Sequence, residues 1–217
     1  MAVSRIPPLY PVLDAVFLPA GGSRARVLAG LVRSLADAGV GILQYRNKQG
    51  GEAEILRDAE VIRSAAPDNL RLILNDYAGL VREAGFAGVH LGQTDMSPGA
   101  ARALLGPGML IGVSTHNEAQ LRAAAVEPVD YVAIGPVFAT ASKANPEPVV
   151  GLDGVRLARQ LTSRPLVAIG GITLANAVQV WGAGADSIAL ISAIFSPAAG
   201  PAETAVDLLK LHRSRAS

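Results

Sequence analysis

The chain has 217 residues, half of them hydrophobic, with 19 basic and 18 acidic residues and a formal net charge of +1. This composition favours one folded domain with a sizeable core, and it excludes a disordered or fibrous chain and a surface basic enough to attract nucleic acid. Because the chain has no cysteine, disulfides, thiolate zinc sites and thiol nucleophiles are excluded as well.

Short runs rich in Val, Ile and Leu alternate along the chain with longer stretches of helical periodicity. Eight such runs occur, and each is short enough for a strand. They are "LYPVL" near residue 9, "GILQY" near 41, "LILN" near 72, "GVHL" near 88, "LIGVS" near 110, "YVAIG" near 131, "LVAIG" near 166 and "IALIS" near 188.

The segments between these runs predict helices, because their apolar residues recur three and four positions apart, as in 23–39 and 173–184. Strands that are apolar at nearly every position are typical of a parallel sheet covered on both faces. Eight strand and helix repeats therefore predict a single-domain (β/α)8 TIM barrel over residues 1–217, with a doubly wound α/β sheet as the alternative.

Polar and glycine residues follow seven of the eight predicted strands. In a barrel the carboxyl ends of the strands meet at one mouth, which is where such enzymes place their active sites. The residues concerned are Gln44, Arg46 and Lys48 after the second strand, Asn75 and Asp76 after the third, Gln93 and Asp95 after the fourth, Ser114 after the fifth, Thr140, Ser142 and Lys143 after the sixth, Gly170 and Gly171 after the seventh, and Ile191 and Ser192 after the eighth.

Asp76 and Asp95 follow neighbouring strands, so their carboxylates are expected to lie close together at the mouth. Two adjacent carboxylates repel unless a cation lies between them, and oxygen ligands with no cysteine favour Mg²⁺. The alternative is that each aspartate only caps the helix that follows it.

The basic residues Arg46, Lys48 and Lys143 suit a diphosphate or triphosphate in the same mouth. Gly170 and Gly171 lie where barrels often bind a second phosphate through backbone N–H groups. Two anion sites imply two phosphorylated ligands. The alternatives are solvated charges at the rim and glycines that only turn the chain.

The ordered set of motifs "QYRNK", "LNDY", "GVHLGQTD", "IGVSTH", "YVAIGPVFATASK", "VAIGGI" and "GADSIALISAI" resembles the thiamine phosphate synthase family. The resemblance covers about residues 9–195. It implies a Mg²⁺-dependent transferase that condenses hydroxymethylpyrimidine pyrophosphate with thiazole phosphate, giving thiamine phosphate and pyrophosphate. It also implies a dissociative substitution, in which pyrophosphate leaves before the thiazole nitrogen attacks.

Matched position by position, the resemblance assigns five residues to the pyrophosphate: Gln44, Arg46, Lys48, Asn75 and Lys143. Asp76 and Asp95 match the metal positions, and Ser114 matches the position beside the pyrimidine. The side that binds thiazole phosphate is matched by Thr140, Ser142, Gly171, Ile191 and Ser192. Arg46, Lys48, Lys143 and Ser114 are the expected catalytic residues.

Tyr77 departs from the family, many of whose members have a second aspartate there. Two other functions stay open from the sequence: a thiazole tautomerase-like enzyme and a barrel that binds phosphorylated ligands without turnover. We expect a cytoplasmic protein with small-molecule substrates and with no nucleic-acid or membrane partner, and the sequence leaves homo-oligomer formation open. His90 is expected to be a hydrogen-bonded interior residue, and Trp181 is expected to serve packing.

Overall fold

Eight strands alternate with helices along the chain in a computed structural model, which describes residues 6–140, 147–195 and 200–215. Every predicted strand is present within two residues of its expected position. The strands are β1 (Leu9–Asp14), β2 (Ile42–Arg46), β3 (Arg71–Asn75), β4 (Gly88–Leu91), β5 (Leu110–Thr115), β6 (Tyr131–Ile134), β7 (Leu166–Ile169) and β8 (Ser187–Leu190).

The helices follow the strands and cover the outside of the sheet. They are α1 (Arg24–Asp37), α2 (Glu52–Ala65), α3 (Val81–Ala84), α4 (Pro98–Leu105), α5 (Glu118–Val126), α6 (Gly151–Leu161), α7 (Ala177–Gly182), α8 (Ser192–Phe195) and α9 (Pro201–Ser214). Short 3-10 turns follow β1 and β3. In the part of the chain that is described, every helix is too short or too polar to cross a membrane.

The strands form one closed parallel barrel in chain order, and β8 pairs with β1 to complete it. This closure confirms the (β/α)8 barrel and shows that the doubly wound alternative is wrong. Both faces of the strands are buried, which explains their continuous apolar sequence. One face packs under the helices and the other fills the barrel, where Tyr10, Ile42, Ile73, Tyr131 and Val167 belong to the inner cluster.

Two aspartates tie neighbouring strands together at the amino-terminal end of the barrel, away from the mouth. Asp130 accepts from the Ile111 N–H at 2.7 Å and pairs with Arg102 at 2.6 Å. Asp186 accepts from the Leu166 N–H at 2.8 Å, and it also pairs with an arginine of a covering helix. Trp181 is buried at the same end, where its indole N–H donates to the Pro8 carbonyl, so its predicted packing role is confirmed.

Candidate functional site

The two basic side chains that follow β2 each pair with an acidic residue at the end of a neighbouring strand. Arg46 pairs with Asp14, its register partner on β1, and Lys48 pairs with Asp76, directly after β3. The mouth therefore carries alternating charges from β1 to β3. Because both cations have ionic partners, they are more than solvated charges at the rim.

Asp76 stands at a turn with a left-handed backbone, φ 68°, a conformation that non-glycine residues rarely adopt. Its N–H donates to the His90 carbonyl at 2.8 Å, which binds the turn to β4. The pKa of Asp76 is raised, mainly because the carboxyl is buried. Lys48 lowers this pKa, whereas the neighbouring Asp95 carboxyl raises it further. The capping alternative is wrong for Asp76, because the following 3-10 turn begins after Tyr77 without a side-chain cap.

Asp95 lies in the loop after β4, and its side chain folds back to accept from the Gly92 N–H at 2.7 Å. It does not cap α4, because Ser97 fills that position and accepts from the Ala100 N–H. The Asp95 carboxyl lies within hydrogen-bonding reach of Asp76. The structure thus brings the two predicted acids together.

A paired aspartate site of this kind is suited to a hard cation that keeps water and phosphate ligands. Mg²⁺ is usually bound by only one or two carboxylates, with the remaining ligands from water and substrate. Within residues 6–140, 147–195 and 200–215, no cluster of three or more acidic or histidine side chains is placed to hold a metal. The donor set of Asp76 and Asp95 therefore fits Mg²⁺ supplied together with a phosphorylated ligand.

Asn75 ends β3 beside this pair, and its side-chain amide nitrogen has no hydrogen-bond partner although it is buried. An unsatisfied buried donor costs about 1–3 kcal/mol, so such groups often await a ligand. Asn75 is the last residue of its strand and is in register with His90 of β4. This position is compatible with the predicted contact to an anionic group.

A chain of polar side chains crosses the floor of the mouth inside the barrel. The Gln44 amide donates to the Tyr10 hydroxyl at 3.1 Å, and the Tyr10 hydroxyl bonds that of Tyr131 at 2.8 Å. The His90 ring bonds the Tyr131 hydroxyl at 3.0 Å and the Ser114 hydroxyl at 2.9 Å. His90 is thus the buried, hydrogen-bonded histidine that the sequence predicts.

One direction of donation satisfies every member of this chain. Burial raises the pKa of both Tyr10 and Tyr131, so both hydroxyls stay protonated. Gln44 donates to Tyr10, and the assignment that gives each tyrosine hydrogen an acceptor has Tyr10 donating to Tyr131 and Tyr131 donating to His90 Nδ1. His90 Nε2 then carries the hydrogen and donates to Ser114, whose own hydrogen is left for another acceptor.

The opposite half of the mouth, from β5 to β8, holds a cavity of about 270 Å³, whose lining includes His116 and the acidic Glu147. Its walls come from the ends of these four strands and include much backbone and many small side chains. Ser114, Thr140, Gly171, Ile191 and Ser192 all line it. The mouth is therefore divided into a charged half on β1 to β4, which holds the two ion pairs, and a half on β5 to β8, which holds the cavity.

Gly170 and Gly171 end β7 with left-handed backbones, φ 102° and 62°. A Cβ atom at Gly171 would lie 2.5 Å from the Ala139 carbonyl oxygen, and one at Gly170 would lie 2.5 Å from the Pro136 side chain. Glycine is therefore needed for the turn and for close packing against the loop after β6. Both glycines line the cavity, so the turn and a ligand site coincide.

Most of the predicted site residues that the structure describes meet at the rim of the mouth, but one of them, Gln44, lies in its floor. Gln44 is buried deeper than expected, because its side chain turns into the barrel toward Tyr10. Ser142 and Lys143 lie outside the described residues, so their assignments stay predictions.

Sequence reasoning missed Asp14, the last residue of β1, although a polar residue ending an apolar strand is the signal that identified the other strand ends. It also missed Asn47, which is buried beside Lys48. Nothing in a loop sequence such as "RNKQGG" distinguishes a buried asparagine from a solvated one.

The described geometry agrees with three comparisons with known proteins. A family model described as thiamine monophosphate synthase matches residues 10–194. The thiamine-phosphate synthase of Koribacter versatilis (strain Ellin345) is 52% identical over 188 residues, covering 87% of this chain and 89% of that protein. The thiamine-phosphate synthase of Chloroflexus aurantiacus (strain ATCC 29366 / DSM 635 / J-10-fl) is 39% identical over 187 residues, covering 86% of this chain and 84% of that protein.

A solved structure, the thiamine phosphate pyrophosphorylase from Pyrococcus furiosus, has the same architecture as this chain. Its TM-score is 0.82 at 26% sequence identity, over 95% of this chain and 96% of that chain. The similarity spans all strands of the barrel, because the aligned share of both chains is nearly complete.

Proposed function

Because the chain belongs to the thiamine monophosphate synthase family, we propose that the two halves of its mouth hold the two substrates of thiamine phosphate formation. The enzyme is a transferase that joins hydroxymethylpyrimidine pyrophosphate to thiazole phosphate, giving thiamine phosphate and pyrophosphate. The observation that carries the proposal is the division of the mouth into a charged half on β1 to β4, with its two ion pairs, and a separate cavity on β5 to β8.

The pyrophosphate group belongs in the charged half. Arg46 and Lys48 supply positive charge there, and the unsatisfied Asn75 amide nitrogen supplies a neutral donor. Lys143 is proposed to add a further cation. The ion pairs with Asp14 and Asp76 keep both basic side chains at the mouth before substrate arrives, so less side-chain entropy is lost when the anion binds.

Mg²⁺ is the proposed cofactor, with Asp76 and Asp95 as its protein ligands. The ion would supply charge stabilisation to the departing pyrophosphate. The pairing of two carboxylates and the raised pKa of Asp76 support this assignment, since a pair that resists full ionisation is stabilised by a bound cation.

The pyrimidine is proposed to lie over the row of hydrogen-bonded side chains in the floor of the mouth, at the end formed by Ser114. In the direction of donation derived above, the Ser114 hydroxyl keeps a hydrogen to donate to the ring or to the leaving group. Thiazole phosphate is proposed to occupy the cavity on β5 to β8, where its expected contacts are Thr140, Ser142, Gly171, Ile191 and Ser192. The reacting carbon then lies between the two halves.

We propose a dissociative order of bond changes. The bond from the pyrimidine methylene to pyrophosphate oxygen breaks first, and its electron pair leaves with pyrophosphate. The thiazole nitrogen then donates its lone pair to the methylene cation. No general base is required, and the work of the protein is to stabilise the leaving group and to hold both rings in place.

Release of pyrophosphate in the presence of both substrates tests this function. We expect release to require the pyrimidine pyrophosphate and to be matched by one thiamine phosphate for each pyrophosphate. A thiazole tautomerase-like enzyme would consume no pyrimidine substrate, and a binding protein would release nothing. Either result would contradict the proposal.

Replacing Arg46 with alanine is expected to lower kcat by about tenfold or more, because a preorganised charge at the leaving group is lost. Arg46→Lys keeps the charge but not the planar fork, so an intermediate loss is expected. Single-turnover pyrophosphate release measures both variants.

The pairing with buried Asp14 calls for a control, because Arg46→Ala leaves that carboxylate without its cation. In the double variant Asp14→Asn with Arg46→Ala, the unpaired charge is removed while the bond from the Val16 N–H can be kept. We expect the double variant to stay slow. Recovery to the rate of Asp14→Asn alone would mean that Arg46 only neutralises Asp14.

The cellular setting is part of the proposal. Both substrates carry phosphate groups, and such charged molecules do not cross bilayers unaided, which supports a cytoplasmic location. The formal net charge of +1 supports small molecules, rather than nucleic acid or a membrane surface, as partners. The number of copies in the active enzyme stays open.

A further inference from the structure

Lys48 is carried by the loop 47–51, which joins β2 to α2 and has no regular secondary structure. Its side chain is 49% exposed, whereas that of its ionic partner Asp76 is 14% exposed. A lysine so exposed is not held by packing along its stem. Its position at the mouth therefore depends on the ion pair with Asp76 and on what holds the backbone of the loop.

Asn47, the neighbour of Lys48, holds this loop from the inside. It is only 3% exposed. Its Oδ1 accepts from the N–H groups of Gln49 at 3.1 Å and Gly50 at 2.7 Å. Its Nδ2 donates to the Tyr45 hydroxyl at 3.3 Å and to Glu54 Oε1 at 2.9 Å. All the hydrogen-bonding capacity of the amide is thus used within the protein.

The shape of the loop fits closely around this amide. A Cβ atom at Gly50 would lie 2.5 Å from Asn47 Nδ2 and 2.8 Å from Glu54 Oε1. Any larger residue at Gly50 would push the loop away from Asn47. The glycine is therefore needed for the close approach of the loop backbone to the asparagine.

A buried polar cluster on the outer face of the barrel supports Asn47. Arg24 of α1 bonds both oxygens of Asp58, with Nη2 at 2.7 Å, and also bonds Glu54 at 3.0 Å. Tyr45 of β2 donates its hydroxyl to Asp58. Burial, together with Asp58, raises the pKa of Tyr45, so the hydroxyl stays protonated as a donor.

We propose that Asn47 is a positioning residue, which fixes the loop 47–51 between β2 and the outer cluster and so holds Lys48 at the pyrophosphate side of the mouth. This inference rests on the proposed role of Lys48. Asn47 reaches the reaction only through the loop, since all four of its hydrogen bonds go to the protein. The inference adds to the assignment of the charged half, because it names the residue that holds the Lys48 loop in place.

Asn47→Asp tests the inference with a small change of shape. The new carboxylate can still accept from Gln49 and Gly50, but it faces Glu54 as a like charge. We expect KM for the pyrimidine pyrophosphate to rise about tenfold. KM for thiazole phosphate is expected to stay within about twofold, since that substrate uses the other half of the mouth.

A compensating change distinguishes the contact with Glu54 from other effects. In Asn47→Asp with Glu54→Gln, the glutamine amide can donate to the new carboxylate while its Oε1 still accepts from Arg24. We expect KM to return to within about threefold of the parent enzyme. Glu54→Gln alone is expected to raise KM less than Asn47→Asp, because Asn47 can still donate to the glutamine Oε1.

Asp130→Asn is the matched control for a merely structural role. Asp130 makes half-buried polar ties at the opposite end of the barrel, to Arg102 and the Ile111 N–H. We expect it to lower Tm without changing either KM. If Asn47→Asp behaves in the same way, Asn47 only stabilises the fold and the inference is wrong.

A double-variant cycle with Lys48→Ala tests the path of the effect. If Asn47 acts through Lys48, adding Asn47→Asp to Lys48→Ala raises KM for the pyrimidine pyrophosphate no further. If Asn47→Asp raises this KM as much in the Lys48→Ala background as in the parent enzyme, Asn47 does not act through Lys48. That result would overturn the positioning role of Asn47 and leave the proposed role of Lys48 intact. If Lys48→Ala by itself leaves that KM unchanged, the proposed role of Lys48 fails and the inference fails with it.

Discussion

Replacing Asp95 with alanine is expected to lower thiamine phosphate formation by about a hundredfold or more, because Mg²⁺ would keep only one protein carboxylate. The carboxylate that remains is Asp76, which also pairs with Lys48. Steady-state rates over a series of Mg²⁺ concentrations measure the effect. We expect the variant to need more Mg²⁺ and the parent enzyme to lose activity in EDTA.

Asp95 also accepts from the Gly92 N–H, so the alanine variant removes a loop contact as well as a charge. Asp95→Asn separates the two effects, because its side-chain oxygen can keep the hydrogen bond while the charge is lost. We expect a similar loss of activity from Asp95→Asn. The control Asp153→Asn removes an equal charge from a side chain that is 96% exposed on α6, and it should change nothing. Full activity of either Asp95 variant in EDTA would contradict the assignment of Asp95 as a metal ligand.

A trifluoromethyl group on the pyrimidine is expected to slow the chemical step by several orders of magnitude. In a dissociative reaction the pyrimidine methylene becomes cationic before the thiazole attacks, and an electron-withdrawing group destabilises that cation. Only charge that develops in the transition state enters the barrier, at about 1.4 kcal/mol for each factor of ten. Pyrophosphate release in a single turnover measures the step directly.

Binding and size must be separated from this electronic effect. The dissociation constant of the analogue is expected to change little, because the ground-state pyrimidine carries no added charge. A pyrimidine with an isopropyl group has a similar bulk without the withdrawing effect, and it should react far faster than the trifluoromethyl analogue. Equal rates for the natural and trifluoromethyl substrates at saturation would exclude a rate-limiting cationic step.

The barrel could be predicted from the sequence because each strand is buried on both faces, so its hydrophobic pattern is nearly continuous. Parallel topology then places every strand end at one mouth, which is why Asp76 and Asp95 could be predicted to meet although they are far apart in sequence. The bond from Asp76 N–H to the His90 carbonyl is the physical link, because it sets the turn after β3 against β4.

Side-chain partners could not be predicted in the same way, because they depend on register and rotamer rather than on pattern. Tyr10 and Tyr131 are 121 residues apart and meet only because the closed barrel places them across its interior. Gln44 lies in the middle of β2, two residues before the charged Arg46, and its side chain turns inward to Tyr10. The pairing of Arg46 with Asp14 follows from the register of β1 and β2, which the sequence does not state.

The polar ties at the amino-terminal end of the barrel have a consequence for evolvability. Asp130 and Asp186 bind β5 and β7 to their covering helices from the side opposite the mouth, and Trp181 is anchored to Pro8 at that end. Substitutions in the loops after the strands therefore leave these anchors intact. Random libraries confined to the mouth, with Gly170 and Gly171 kept, should yield mostly folded variants, so directed evolution toward altered azole acceptors can begin from this scaffold without prior stabilisation.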